Sequence, residues 1–290
     1  MRSSIRRTLT LGGAVLFVMI LLGATYQGVA TAIERRRHQY PGRMVKAGNH
    51  QLHIFCTGEG APTVLLEAPA TGMSAAWGLV QPIVAMETRV CSYDRAGLGW
   101  SEWGQVMFDP AAVPVQLHTL LVNAGERTPY VVAGQGLGAA FARMYAGAYP
   151  NETAALILID PPNSGGEPAQ LRQMARMARM SPWLARTGVL RAARALSDGK
   201  TDLPEPSAGA VATFLNRPDH LTRAAAELAR WSDAVALAAA IQLPEQLAVT
   251  SLNAAGRDRT ALLTDRAASE QVAKAILDAV DRLRAQTRTR

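Results

Sequence analysis

The segment Tyr130-Val131-Val132-Ala133-Gly134-Gln135-Gly136-Leu137-Gly138-Ala139-Ala140 joins a run of strand-forming residues to an alanine-rich helix through three glycines. Small residues at 134, 138 and 139 let a helix leave a strand at a sharp angle without Cβ clashes. The G-x-S-x-G turn that presents a nucleophilic serine has the same requirement. Here the central position is Gly136, so no hydroxyl stands at the tip. Taken alone, the pattern also reads as an ordinary strand, glycine turn and helix. A phosphate loop is excluded, because Gly134–Gly138 lacks the Lys-Ser/Thr pair, and a dinucleotide fingerprint is excluded by spacing.

Serine-based acyl transfer also needs a base, an acid to orient it and two N–H donors for the oxyanion. The histidines are His38, His50, His53, His118 and His220, and none lies beyond 220. His118 falls on an amphipathic stretch with Leu117, Leu120 and Leu121, which gives it a packing or helix-surface role. His220 opens a helix after Pro218-Asp219, where exposure to solvent is expected. Ser74, Ser164 and Asp160 are the remaining candidates for an altered chemistry, and nothing in the sequence supplies a base beside them. No metal or cofactor motif is read, and none is expected. Cys56 and Cys91 either pair in an oxidising compartment or remain buried thiols.

These residues need elements to hold them. Short apolar runs alternate with helical patterns, the signature of a mostly parallel sheet covered by helices. The runs 43–46, 52–56, 63–67, 88–93, 130–133, 155–159, 246–250 and, weakly, 260–264 read as eight strands. Helical patterns occupy 75–86, 111–124, 137–148 and 267–285. From about 167 to 240 only helices are read, including QLRQMARMARM, WLARTGVLRAARAL, AVATFL and HLTRAAAELARW. Inserted after the sixth strand, they form a cap over the edge where open α/β sheets bind ligands. The expected division is an anchor at 1–40, a core at 41–163 and 241–290, and a helical cap at 164–240. In the cap, Arg172, Arg176, Arg179, Arg186, Arg191 and Arg194 alternate with Met174, Met177, Met180, Leu184 and Leu190. The sequence favours a solvated cap with a methionine-rich underside over a stripe laid on a bilayer or partner.

Residues 9–33 contain no charge, enough apolar length for a spanning helix. Arg2, Arg6 and Arg7 precede the run, and Arg35, Arg36 and Arg37 follow it. A cleaved signal ending near Ala30-Thr31-Ala32 is the alternative. The long run and its basic stop favour a retained anchor, with residues 9–33 partnering the lipid bilayer. The net charge of +7 belongs to this region: residues 1–46 hold eight bases and only Glu34, and the remaining 22 bases and 22 acids cancel. Nucleic acid is therefore not an expected partner. Both flanks are positive, so they do not fix which side of the membrane the domain occupies.

Three segments, His50–Gly60, Arg89–Ser101 with its Tyr-Asp-Arg-Ala-Gly-x-Gly-x-Ser run, and Tyr130–Asp160, resemble the α/β-hydrolase superfamily, near membrane-anchored bacterial members of the AB-hydrolase-1 type. The resemblance covers Arg43 to about Pro162 and implies that fold, with a helical cap. It also implies how the catalytic positions have changed. Gly136 stands in place of the nucleophile, and Pro69, which has no N–H, stands in place of one oxyanion donor. No histidine follows the last strand, and Asp258 is a possible remnant of the acid. Asp94 and Arg95 match the family's structural pair, and Asp160 caps the turn after its strand. Pro69, Ala70, Gln135, Gly136, Leu137 and Asp160 are the pocket candidates. The second and fourth strands are neighbours in this fold, so Cys56 and Cys91 are expected to face each other. The resemblance therefore implies a disarmed hydrolase: a tethered binding or scaffold protein or an accessory to a membrane-protein partner, with a residual or altered hydrolase acting on esters or lipids and a binder of a small lipid as the alternatives.

Overall fold

The computed structural model describes residues 2–37, 41–104, 107–162, 169–193, 196, 202–254 and 261–288. Asp258, Ser164, Arg194 and His38 lie outside them. Seven strands form one sheet: β1 (Arg43–Ala47), β2 (His50–Thr57), β3 (Thr63–Glu67), β4 (Val90–Tyr93), β5 (Tyr130–Gln135), β6 (Thr153–Ile159) and β7 (Ala248–Leu252), in the order β1-β2-β4-β3-β5-β6-β7. The β1–β2 and β2–β4 pairs are antiparallel, and the other four are parallel. β3 and β5 are buried along their whole length, as the central strands of a sheet covered on both faces must be.

Helices α3 (Ala112–Ala124) and α4 (Leu137–Ala148) cover one face, where Leu117, Leu120, Leu121 and Tyr145 pack on Leu65, Val132 and Leu156. α2 (Val80–Ala85), α10 (Ala261–Thr264) and α11 (Arg266–Arg288) cover the other, with Val272, Ile276 and Val280 against Val64, Val131 and Ile157. The expected eighth strand is not formed. Ala261–Thr264 is one helical turn, whose Leu262 and Leu263 are both buried. Between β6 and β7 run α5 (Ala169–Arg186), α6 (Val189–Ala192), α7 (Ser207–Phe214), α8 (Pro218–Ala229) and α9 (Trp231–Ala240). They form the cap, seated on α4 through Phe141 and Met144 against Leu228 and Trp231.

Two features differ from the sequence reading of the cap and the N-terminal helix. Met177 and Met180 of α5 do not lie on an underside: both are exposed, and the described part of the face turned inward carries Ala175, Ala178 and Ala185. Helix α1 (Arg2–Arg37), long and apolar enough to cross a membrane over Leu9–Glu34, is not free along its length. Gly23, Gln27, Ala30, Thr31 and Glu34 recur at helical spacing and are the residues of its second half that lose exposure. The Gln27 amide donates to Asn216 O at 2.8 Å and accepts from Arg191 Nε at 2.9 Å, and Arg191 also pairs with Glu34. A Cβ on Gly23 would stand 2.0 Å from Thr187 O.

Candidate functional site

The chain turns from β5 into α4 at Gly136, with φ 56° and ψ −121°. Residues with a side chain adopt such angles only under strain. The two flanking glycines are sterically required. A Cβ at Gly134 would lie 2.3 Å from Gly138 O, and one at Gly138 would lie 2.4 Å from Ala68 O. A Cβ at Gly136 would meet nothing within 4 Å. The elbow therefore has its full geometry and room for a side chain at its tip, and the tip is bare.

Facing the elbow from the loop after β3, Pro69 offers no donor, and its carbonyl is already engaged by Arg95 Nη2 at 2.8 Å and the Gly72 N–H at 3.0 Å. Gln135 and Leu137 flank the tip and are buried, and Ala70 packs toward the cap cluster. Asp160 ends β6 at φ 45°, with Oδ1 3.4 Å from the Ala254 N–H.

Of the four described histidines, none lies within 4 Å of a Cβ at Gly136, and three have ring nitrogens held by other groups. His118 stacks on Tyr149 at 4.1 Å and faces Glu152 at 3.2 Å, both beyond the C-terminal end of α4, whose other end starts at the elbow. His50 lies by Gly104, and burial lowers its pKa. His220 is buried, not exposed: it is 3% accessible. Its Nδ1 accepts the Gly99 N–H at 3.1 Å, so Nε2 carries the proton and donates to Thr71 O at 3.1 Å. Both nitrogens are thereby committed to backbone.

His53 forms the arrangement that comes nearest to a relay. Its Nδ1 lies 2.9 Å from Asp94 Oδ2 and 3.4 Å from Ser74 Oγ, all three residues being buried. A relay puts the acid on one ring nitrogen and the nucleophile on the other. Here one nitrogen meets both, and Nε2 faces Pro41 O at 3.3 Å. Ser74 and Trp100 N–H groups also hold Asp94, at 2.6 and 2.9 Å. Burial works to raise the Asp94 pKa, but His53 and these donors outweigh it and hold it below the usual value. The assembly is a structural clamp on the loop after β3.

The strongest electrostatic feature was not read from the sequence. All five N–H groups of the buried Arg95 guanidinium are used: two on Glu227 at 2.8 and 3.0 Å, one on Glu67 at 2.6 Å, and one each on Ala68 O and Pro69 O at 2.8 Å. Tyr93 donates to the other oxygen of Glu67, and Glu227 also accepts the Thr71 N–H at 3.1 Å. Burial pushes the Glu67 pKa up against the pull of Arg95, while Arg95, despite burial, is raised by its two carboxylates. Arg223, one turn before Glu227, lies over the Phe108 ring at 4.6 Å, and burial lowers its pKa. The sequence signals were the Asp94-Arg95 pair and Arg223-x-x-x-Glu227, charges one turn apart on one face of α8.

Two larger cavities border the cap, beside one of about 200 Å³ between α4 and α9. One of about 550 Å³ is mostly apolar and lies between α2 and the start of α7, with Phe55, Ser74, Gln81, Trp100, Pro206 and Ala210 among its walls. The other, about 850 Å³, separates α1 from α8 and is lined by Gln27, Thr31, Trp103, Arg186 and Asp219 among others. Gly136 lines neither. Cys56 and Cys91 stand opposite each other on β2 and β4, joined by a disulfide with Cα atoms 4.0 Å apart.

No family model matches the chain. An uncharacterized protein of Schizosaccharomyces pombe is 30% identical over 84 residues, 28% of this chain and 15% of that protein. The uncharacterized protein YbdG of Bacillus subtilis is 27% identical over 125 residues, 41% and 37% of the two chains. The chain thus spans less than half the length of these curated relatives. Among solved structures, a thermophilic esterase from Thermogutta terrifontis superposes with a TM-score of 0.61 at 17% identity, over 84% of this chain and 99% of that one. The Cif epoxide hydrolase from Acinetobacter nosocomialis gives 0.66 at 11% identity, over 89% and 96%. A lipase from Acinetobacter baumannii gives 0.59 at 17%, over 87% and 96%. These superpositions, together with the mostly parallel seven-stranded sheet flanked by helices, show the fold: the chain has the α/β-hydrolase fold.

Proposed function

We propose that this chain is a non-hydrolytic α/β-hydrolase-fold protein, tethered to a membrane by α1 and acting as a binding or accessory module. The observation that carries the reading is the bare elbow: a complete turn with hydrogen where the nucleophile would stand. A missing serine alone leaves a fold with a base and an oxyanion hole. Here His53, His118 and His220 are held by other partners, the sequence holds no histidine after His220, and Pro69 removes a donor whose loss alone costs about 2.7–4 kcal/mol of transition-state stabilisation. Retention of α1 is supported by its docking. Cleavage near Ala30-Thr31-Ala32 would strip Gln27 from Arg191 and Asn216 and leave buried polar groups unsatisfied. The Cys56–Cys91 disulfide supports placing the globular part outside the cytoplasm. A second reading, a binder of a small apolar molecule, is favoured by the 550 Å³ cavity beside α7.

The full chain, purified in mild detergent and given p-nitrophenyl acetate and butyrate, is expected to release nitrophenol no faster than the detergent buffer. Turnover well above that background would overturn the non-hydrolytic reading. If Ser74→Ala abolished such turnover, the active centre would lie in the His53–Asp94 clamp.

A further inference from the structure

We infer that the outer face of α5 and the turn into α6 are seated in the headgroup zone of an anionic bilayer, beside the helix that crosses it. The inference rests on the reading of α1 as a retained anchor, and deepens it.

From Ala175 to Arg186, α5 turns small residues inward and large apolar ones outward. Ala175, Ala178 and Ala185 face the protein, while Met177, Met180 and Trp183 are 67%, 63% and 72% exposed. With Leu184 they fall on one helical stripe (177, 180, 184 and 183), fringed by the exposed Arg176, Arg179 and Arg186. Arg186 lies over the Trp183 ring at 5.2 Å. A helix in water gains nothing from turning its largest apolar side chains away from the core. A helix lying in the membrane surface does, with arginines among lipid phosphates and tryptophan at headgroup level.

The length of α1 gives an independent argument. Its described side chains from Leu9 to Leu22 are all exposed, and contact with the cap begins at Gly23. Those fourteen residues span about 21 Å at a rise of 1.5 Å each, short of the ~30 Å hydrocarbon core. A bilayer that covers the apolar run must therefore reach past Gly23. Gly23 touches Thr187, and Gly188 touches Gly23 and Tyr26. These lie within a turn of Trp183, Leu184 and Val189, all exposed. The free helix is too short to cross unless this end of the cap enters the interface with it.

The test uses the full chain in nanodiscs of phosphatidylcholine with phosphatidylglycerol. Cys56 and Cys91 are joined, so a nitroxide can be placed on a single new cysteine at Met180→Cys, Leu16→Cys or Met86→Cys. Collision with lipid-soluble oxygen is compared with collision with an aqueous nickel chelate. The expected result is an oxygen-favouring profile at Met180, approaching that at Leu16, with Met86 fully aqueous. Replacing Arg176, Arg179 and Arg186 by Gln should move the Met180 label several-fold toward aqueous accessibility. If Leu16 is lipid-like and Met180 as aqueous as Met86, the cap placement is overturned and the anchor stands. A label at Met180 shielded from both reagents would overturn it in favour of a protein partner. An aqueous profile at Leu16 would overturn the anchor itself.

Discussion

At position 136 the space beside the backbone is open while the backbone itself excludes most side chains, and these two facts have separate consequences. Gly136→Ser is expected to fold, because a Cβ there meets nothing within 4 Å. It should lose about 1–3 kcal/mol through the strained φ of 56°, a fall of several degrees in melting temperature. It should gain no esterase turnover, since no described histidine lies within 4 Å of that Cβ and Pro69 offers no oxyanion donor. A thermal melt beside a p-nitrophenyl ester assay checks both parts. The elbow was legible because its three glycines announce a turn that few other residues could make. His220 was not legible. A histidine after Pro-Asp at a helix start reads as solvated, and what buries it are loops 121 and 149 residues away in sequence, at Gly99 and Thr71.

Between elements, Arg95 holds the end of β3, the loop after it and α8 of the cap in one set of hydrogen bonds. Breaking a buried ion pair by removing one partner costs about 3–5 kcal/mol, because the other charge stays behind. Arg95→Met is expected to lose stability on that scale in urea unfolding. Combining it with Glu67→Gln and Glu227→Leu should recover part of the loss. Recovery distinguishes stranded charge from lost packing. The sequence showed Asp94-Arg95 as a structural pair but not its carboxylate partners, which arrive from a strand end and from the cap. It showed the central strands well, because buried parallel strands are continuous apolar runs. It erred at the proposed strand 260–264, where so few residues cannot separate a period of two from one of 3.6. There the pair Leu262-Leu263 is buried by a single helical turn against α11.

For the whole molecule, acid should be destabilising through His220. Burial lowers its pKa more than Asp219, the Thr71 carbonyl, Asp94 and Glu227 raise it. The unfolded chain takes up its proton near pH 6.5, while the folded chain refuses it until lower pH. Above that value the residue contributes no pH dependence; as pH falls below it, stability is lost. His50, also lowered by burial, acts in the same direction. The drop in melting temperature between about pH 7.5 and pH 5.5 is expected to be smaller in His220→Gln than in the parent.

The N-terminal helix was legible as an apolar span but not as a partner of the cap, because hydropathy averages over faces and hides a stripe of Gly23, Gln27, Ala30, Thr31 and Glu34. That stripe means the span is not interchangeable with another of equal hydropathy. A leucine at Gly23 would suit lipid as well as glycine does, yet its side chain would occupy the place of the Thr187 carbonyl. A generic replacement helix would keep the protein at its membrane and leave the cap without its contacts to Gln27 and Glu34. Constraint on this stretch should therefore follow one face of the helix, and not its overall greasiness.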